Sequence, residues 1–303
     1  MSIKSFSVNG KYIKVKNTVN FGKTNSEKVL IWVAFIIFFI HAVSLLFPLA
    51  WGFVSSFKNG TVEYFSNVFG FPEMWRFANY ADAVKVLEVN GVGFFEMALN
   101  SVWWSFGSSF LFVMVLALTS YIFARYEFPC KKLLFTFSVF LMIIPTYGML
   151  PAQYDLYGKL GLKNSPLLLL TALGCFGQNQ FLVMTSFFRG LSKEYKDAAF
   201  IDGAGDFTAF FKIMLPQARG MMLSYFLLTF LACWNDYYAP ILYLDKMPTL
   251  ASGLFTYQNV VLRMGNYPLY FAGVFITSIP MVILYSILHK TITENLSFGG
   301  LKG

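Results

Sequence analysis

The sequence predicts an all-α integral membrane protein of six transmembrane helices with both termini cytoplasmic, and three observations carry that prediction. Of its 303 residues, 57% are hydrophobic and only 13% charged, where soluble domains carry about a quarter charged. The charges are also clustered. Asp, Glu, Lys and Arg are absent from 29–57, 97–124, 133–154, 164–188 and 264–289, and 220–244 contains only Asp236. Each run accommodates the roughly 20 residues a spanning helix takes, and a helix satisfies its own backbone polar groups in hydrocarbon. Finally, 16 of the 23 Lys and Arg residues fall in the N-terminal segment, the loops after the second and fourth runs, and the tail. The positive-inside asymmetry assigns those segments to the cytoplasm. The net charge of +8 follows from it and does not point to nucleic acid.

Residues 1–28 form a basic cytoplasmic arm without a clear pattern. They are polar and precede an apolar run too long for a signal-peptide core, so no cleavable signal is expected. Span one, about 29–56, holds His41 and Pro48; an outer segment, 57–96, follows, in which 78–87 is expected to form a short helix on the membrane surface. Span two, about 97–124, sets Ser101, Ser105, Ser109, Val113 and Ala117 four residues apart. That spacing places them on one helix face, and small residues there let helices approach closely in lipid. Span three, 133–154, holds Pro145 and Pro151 around Gly148, a bend that suits either a pathway lining or a packed-over kink.

Span four, about 165–188, has a polar centre, "GCFGQNQF", whose Gln178, Asn179 and Gln180 must face protein or water. Span five, about 216–243, ends in "CWNDYYAP". Asp236 falls roughly 25 Å along that helix from Arg219, near the outer boundary, either as a functional carboxylate or as a wetted or partner-paired one. Span six, about 268–289, carries Pro280, and 297–303 is a cytoplasmic tail. Together 29–296 make one membrane domain. Cys130, Cys175 and Cys233 are isolated and suggest neither disulfides nor a metal site.

Catalytic constellations have little to build on, since the only histidines are His41 and His289 on different spans. "FGKT" at 21–24 imitates a phosphate loop, but Asn17 stands where its first glycine is required. Any ATP is therefore bound by another chain. An ion-coupled secondary transporter would need mid-membrane carboxylates and paired broken helices, and there is no convincing internal repeat to support it.

The interruption between spans four and five, "EYKDAAFIDGAGDFTAFFKIMLP", is too charged for lipid and too regular for a slack loop. Residues 194–201 can form a short helix that Gly203 ends in the left-handed conformation, with Gly205 keeping the connection flexible. Asp206 fits an N-cap, after which Phe207, Phe210, Phe211 and Met214 share one face of a second helix. Pro216 suits the first turn of the next span. The expectation is a helix–turn–helix with its aromatic face buried and an exposed alanine pair, Ala198 and Ala199, for close docking.

This stretch resembles the EAA loop of bacterial ABC importer permeases: E-A-A, three residues, Gly, nine residues, I-x-L-P. Here Asp197-Ala198-Ala199 precede Gly203, then Ile213, Leu215 and Pro216, with Asp in place of the family's Glu. "NYADAV", "NSVWWS", "YIFARYEF", "IIPTYGMLPAQYDLYGKLGLKNS", "WNDYYAP" and "GGLKG" extend the resemblance over most of the chain, to the smaller permease of maltose-type carbohydrate importers; the basic arm lies outside that pattern. The resemblance implies a type I importer permease fold in the bacterial cell membrane and a non-catalytic transport subunit. It implies a coupling loop, 190–216, in which Glu194, Asp197, Ala198, Ala199, Ile201, Asp202, Gly203, Ala204, Gly205, Ile213, Leu215 and Pro216 dock on an ABC ATPase. Its implied partners are two ATPase copies that bind ATP and Mg, a second permease in a heterodimer, and an extracellular solute-binding protein met by the loop 245–267. The chain itself would carry no cofactor. Asn179, Gln180, Asn235 and Asp236 are candidate path liners. Nearly charge-free spans fit a neutral sugar or oligosaccharide better than a charged solute; another small cargo, or ion-coupled transport, is the alternative.

Overall fold

The computed structural model describes residues 5–8, 11–14, 25–144, 148–263 and 265–296, and the chain divides into two compact units, Met1–Gly52 and Phe53–Gly303. In the first unit β1 (Ser5–Val8) and β2 (Lys11–Lys14) pair antiparallel, Ser5 opposite Lys14 and Val8 opposite Lys11. The patternless arm expected from the sequence is thus corrected over these residues. The signal lies in the alternating "SFSV" and in Asn9-Gly10, the dipeptide that favours two-residue hairpins. α1 (Asn25–Ser55) starts in this unit and is apolar all round. Phe38, Leu30 and Ile40 are more than 60% exposed, which suits hydrocarbon and not water.

In the second unit α2 (Gly60–Ser66) and α3 (Ala78–Val86) fold the outer segment into a cap. Buried Lys58 donates to the carbonyls of Asn67 and Val68, and burial pulls its ammonium below the ordinary lysine range. Glu63 accepts from the amides of Asn59 at 2.5 Å and Glu73 at 2.6 Å, and Asn79 donates to the carbonyls of Ser56 and Lys58. The expected surface helix is therefore a packed one: Ala83 and Leu87 are fully buried, and α3 lies against the last helix of the chain.

α4 (Phe94–Arg125) is the central element. It is followed by α5 (Lys131–Leu141), α6 (Leu150–Lys159), a 3₁₀ segment (Pro166–Leu173) and α7 (Asn179–Gly190). After the segment 191–218, described below, come α11 (Arg219–Asn235), α12 (Tyr238–Tyr243), α13 (Leu250–Arg263) and α14 (Tyr267–Leu296). α4 packs on α11, α7, the 3₁₀ segment and α13. Its serine face is buried as expected: Ser101, Ser105, Ser109, Val113 and Ala117 are all at most 4% exposed. A Cβ on Gly107 would meet Leu169 at 2.8 Å, so the 3₁₀ segment also approaches α4 closely.

Three of the expected spans are broken. The run 133–154 divides into α5 and α6, and Pro151 opens α6 instead of kinking a helix; Pro145 lies outside the described residues. The run 164–188 breaks between the 3₁₀ segment, which ends at Leu173, and α7, which starts at Asn179, with Gly177 between them at φ +77°. The run 216–243 breaks at Asp236. Among the described residues, Glu27–Ser55 and Phe94–Arg125 are long and apolar enough to cross a bilayer unbroken, and the apolar part of α14, Tyr267–Ile283, is shorter.

One buried serine does more than pack. Ser101 Oγ donates to the Met97 carbonyl at 2.9 Å and accepts from the Leu250 amide at 2.7 Å, fixing the start of α13 to α4. The reciprocal Thr249 and Ser252 bonds complete that start. Ser101→Ala is expected to cost about 1 kcal/mol, as a lost helix cap does. Hydrogen exchange at the Leu250 amide checks it, and unchanged protection would refute the role.

Candidate functional site

The loop between α7 and α11 folds as α8 (Glu194–Ile201), α9 (Asp206–Thr208), a π-helical stretch (Ala209–Met214) and α10 (Leu215–Gln217). α8 has the bounds the sequence predicts. Its end is a Schellman closure: the Ala204 amide donates to the Ala199 carbonyl at 2.9 Å and the Gly203 amide to Phe200 at 3.0 Å. Gly203 is at φ +79°, and a Cβ there would meet nothing within 4 Å, so glycine is required for its backbone and not for space.

Three details correct the sequence reading. Ala199 is buried at 3%, so of the alanine pair only Ala198 is exposed. The N-cap is Gly205, one residue earlier than expected. The buried face is Ala209, Phe210 and Met214, while Phe207 is 78% and Phe211 48% exposed. The π turn supplies the reason, because a wider turn moves residues off the 3.6-residue face on which the aromatic pattern was placed. Glu194, Asp197, Ile201, Asp202, Gly203, Gly205 and Pro216 are exposed, and Ala204, Ile213 and Leu215 half-buried.

What anchors this loop is a residue the sequence reading did not single out. Tyr126, just past α4, donates its hydroxyl to Asp206 Oδ1 in a short hydrogen bond. The Lys196 ammonium sits 3.6 Å over its ring, and Tyr121 packs edge-on at 5.6 Å. Burial, then the Asp206 bond, raises the phenol above its ordinary range, which keeps it a donor. Arg125 donates to the Leu191 carbonyl at 2.5 Å. "YIFARYEF" is legible only as part of the resemblance, since its partners lie 66 to 80 residues away.

The polar positions of spans four and five separate. Gln180 joins Gln178, Ser108, Thr171, Tyr225 and Thr229 around a cavity of about 350 Å³ between α4, the 3₁₀ segment, α7 and α11. Asn235 lines a different cavity of about 280 Å³, with Tyr237, Phe255, Gln258 and Tyr270. Asn179 is exposed at the start of α7. Asp236 Oδ1 accepts from the amides of Tyr238 and Ala239 at 2.8 and 3.2 Å, which makes it the turn that starts α12. The broken 3₁₀–α junction borders the first cavity through Ala172 and Gln178, and non-helical backbone in a membrane protein is tolerated where it lines a cavity.

An apolar helical bundle around α4, broken helices beside polar cavities, and an exposed helix closed on glycine fit a membrane transport permease. Residues 114–296 match the family described as the binding-protein-dependent transport system inner membrane component, and the chain belongs to that family. It is 32% identical over 286 residues to the diacetylchitobiose uptake system permease protein NgcG of Streptomyces coelicolor, covering 91% of this chain and 90% of that one. It is 28% identical to the galactooligosaccharides transport system permease protein GanQ of Bacillus subtilis, over 86% and 92% of the two chains. Its fold matches a chain in the crystal structure of a bacterial ABC transporter that imports the acidic polysaccharide alginate. The TM-score is 0.72 at 21% identity, over 88% of this chain and 98% of that one. The protein is a membrane permease that works with an ATPase and a solute-binding protein.

Proposed function

We propose that this chain moves a neutral oligosaccharide from an extracellular binding protein into the cytoplasm, as one half of a permease heterodimer driven by two ATPase copies that bind ATP and Mg. Residues 29–296 form a six-span domain, in which the broken runs still cross the membrane. The arm 1–28, the tail 297–303 and the loop 190–216 lie in the cytoplasm. α8, exposed on Ala198 and rigidly closed on Gly203, docks on the ATPase and is the observation that carries the reading. The chain catalyses no reaction of its own; ATP hydrolysis on the partner biases it between inward- and outward-facing states through differential contacts. The cavity at Gln180 and the one at Asn235 line the sugar path, since amides, hydroxyls and aromatic faces suit sugar hydroxyls. Asp236 is committed to the α12 turn and contributes shape to the path.

The relatives named for diacetylchitobiose and galactooligosaccharides supply the first probes. The full complex, reconstituted with its binding protein and ATP, is given radiolabelled diacetylchitobiose, a galactooligosaccharide or spermidine. ATP-dependent uptake of a sugar and none of spermidine is the expected result. Uptake of spermidine alone would overturn the carbohydrate assignment.

A further inference from the structure

Tyr126 meets the loop at the ends of both its helices. Its ring carries Lys196 from α8 and its hydroxyl holds Asp206 from α9, while its backbone continues α4, its amide donating to the Ile122 carbonyl at 3.0 Å. Behind it Tyr121, 2% exposed, packs on Phe188 at 5.6 Å and Phe210 at 5.0 Å, joining α4 to α7 and the π stretch. Arg125 adds the Leu191 carbonyl at the loop's entry. Three successive parts of the loop are therefore tied to one helix end.

The tie to α9 runs beside open space. Tyr126, Asp206, Phe207 and Phe210 border an apolar cavity of about 460 Å³ with Leu118 and Ile122, and Phe207 is largely exposed. Phe207 leaves the first turn of the second helix largely open to this cavity, and the polar contact from Tyr126 ties that turn to the end of α4. Packed cores respond to a push by shifting as bodies, and α4 is the body on which α11, α7 and α13 rest.

We propose that Tyr126 is the positioning residue of the coupling loop: it clamps α8 and α9 to the end of α4, so that displacement of α8 by the ATPase moves α4 and the spans packed on it. This rests on the coupling role of α8 proposed above. Tyr126→Phe removes the Asp206 bond and keeps the ring under Lys196 and beside Tyr121; Asp206→Ala removes the same bond from the other side.

The two variants, their double and Ala198→Arg are purified as full complexes. ATPase recovery, sugar uptake and ATP hydrolysed per sugar are then measured with the binding protein and the sugar that wild type imports fastest. Tyr126→Phe is expected to recover the ATPase fully while ATP consumed per sugar rises roughly fivefold, the scale of one lost hydrogen bond. Asp206→Ala should match it, and the double should be no worse than either, as one shared contact requires. An unchanged ratio in Tyr126→Phe overturns the proposal, as does a fall in uptake that only tracks lost ATPase recovery. If Ala198→Arg releases the ATPase while Tyr126→Phe stays coupled, the clamp alone is wrong. If Ala198→Arg retains it, the docking role of α8 fails and the clamp fails with it.

Discussion

Ala198→Arg is expected to release the ATPase from the purified complex while the permease remains folded. Ala198 is exposed on α8, so the substitution meets no neighbour in the core, and arginine is nearly as good a helix former as alanine. On the docking role proposed above, what changes is the face that meets the ATPase, where a methyl group becomes a long cation. Recovery of the ATPase subunit should fall at least tenfold, which corresponds to about 1.4 kcal/mol and is modest for a central interface position. Ala199→Arg should give a different result: Ala199 is buried, so that variant is expected to lose the loop fold itself and to become protease-sensitive around 194–204. Gly203→Ala separates a third effect. Nothing crowds a Cβ there, but φ of +79° costs an L-residue roughly 1–2 kcal/mol, so coupling is expected to weaken without release. Full ATPase recovery with Ala198→Arg would leave α8 as a structural cap on the bundle.

The contrast between those neighbouring alanines marks what the sequence could specify. α8 is legible to the residue because its ends depend on local chemistry, a glycine needing positive φ and six residues around it. Which alanine faces out depends on the tilt of α8 against the π stretch, a tertiary fact. The aromatic stripe at Phe207, Phe210, Phe211 and Met214 shows the same limit from another side, since a pattern of period 3.6 cannot announce a π turn. Apolar runs locate the membrane-embedded segments but not their breaks: the polar residues at 178–180 and Asp236 mark where two runs break, yet side chains of the same kind could equally have faced a neighbour from an unbroken helix. Asn9-Gly10 is a local turn signal, masked by the charge around it. Tyr126 is out of reach of any local rule, because its ring and hydroxyl are claimed by Lys196 and Asp206 across two intervening spans.

α4 permits the strongest test of the membrane reading, because its two faces invert the order of a soluble helix. Val102, Phe106, Phe110, Leu118 and Ile122 are 38–53% exposed, whereas Ser101, Ser105 and Ser109 are at most 1%. Water would expose the serines and bury the aromatics; lipid has no such preference, and small residues go wherever helices must come close. Ser109→Leu is therefore expected to force α4 from its neighbours, costing about 1–3 kcal/mol for overpacking and more if the spans separate. Ser109→Ala should be almost neutral, since the hydroxyl bonds only within its own helix, to the Ser105 carbonyl at 2.6 Å, and no partner elsewhere loses a bond. Phe110→Leu, one residue along and half exposed, should also be tolerated. Thermal stability in detergent, read as the monodisperse fraction after heating, distinguishes the three. If Ser109→Leu melts with Ser109→Ala, the serine face is not a close helix contact, and α4 does not organise the bundle as its burial indicates.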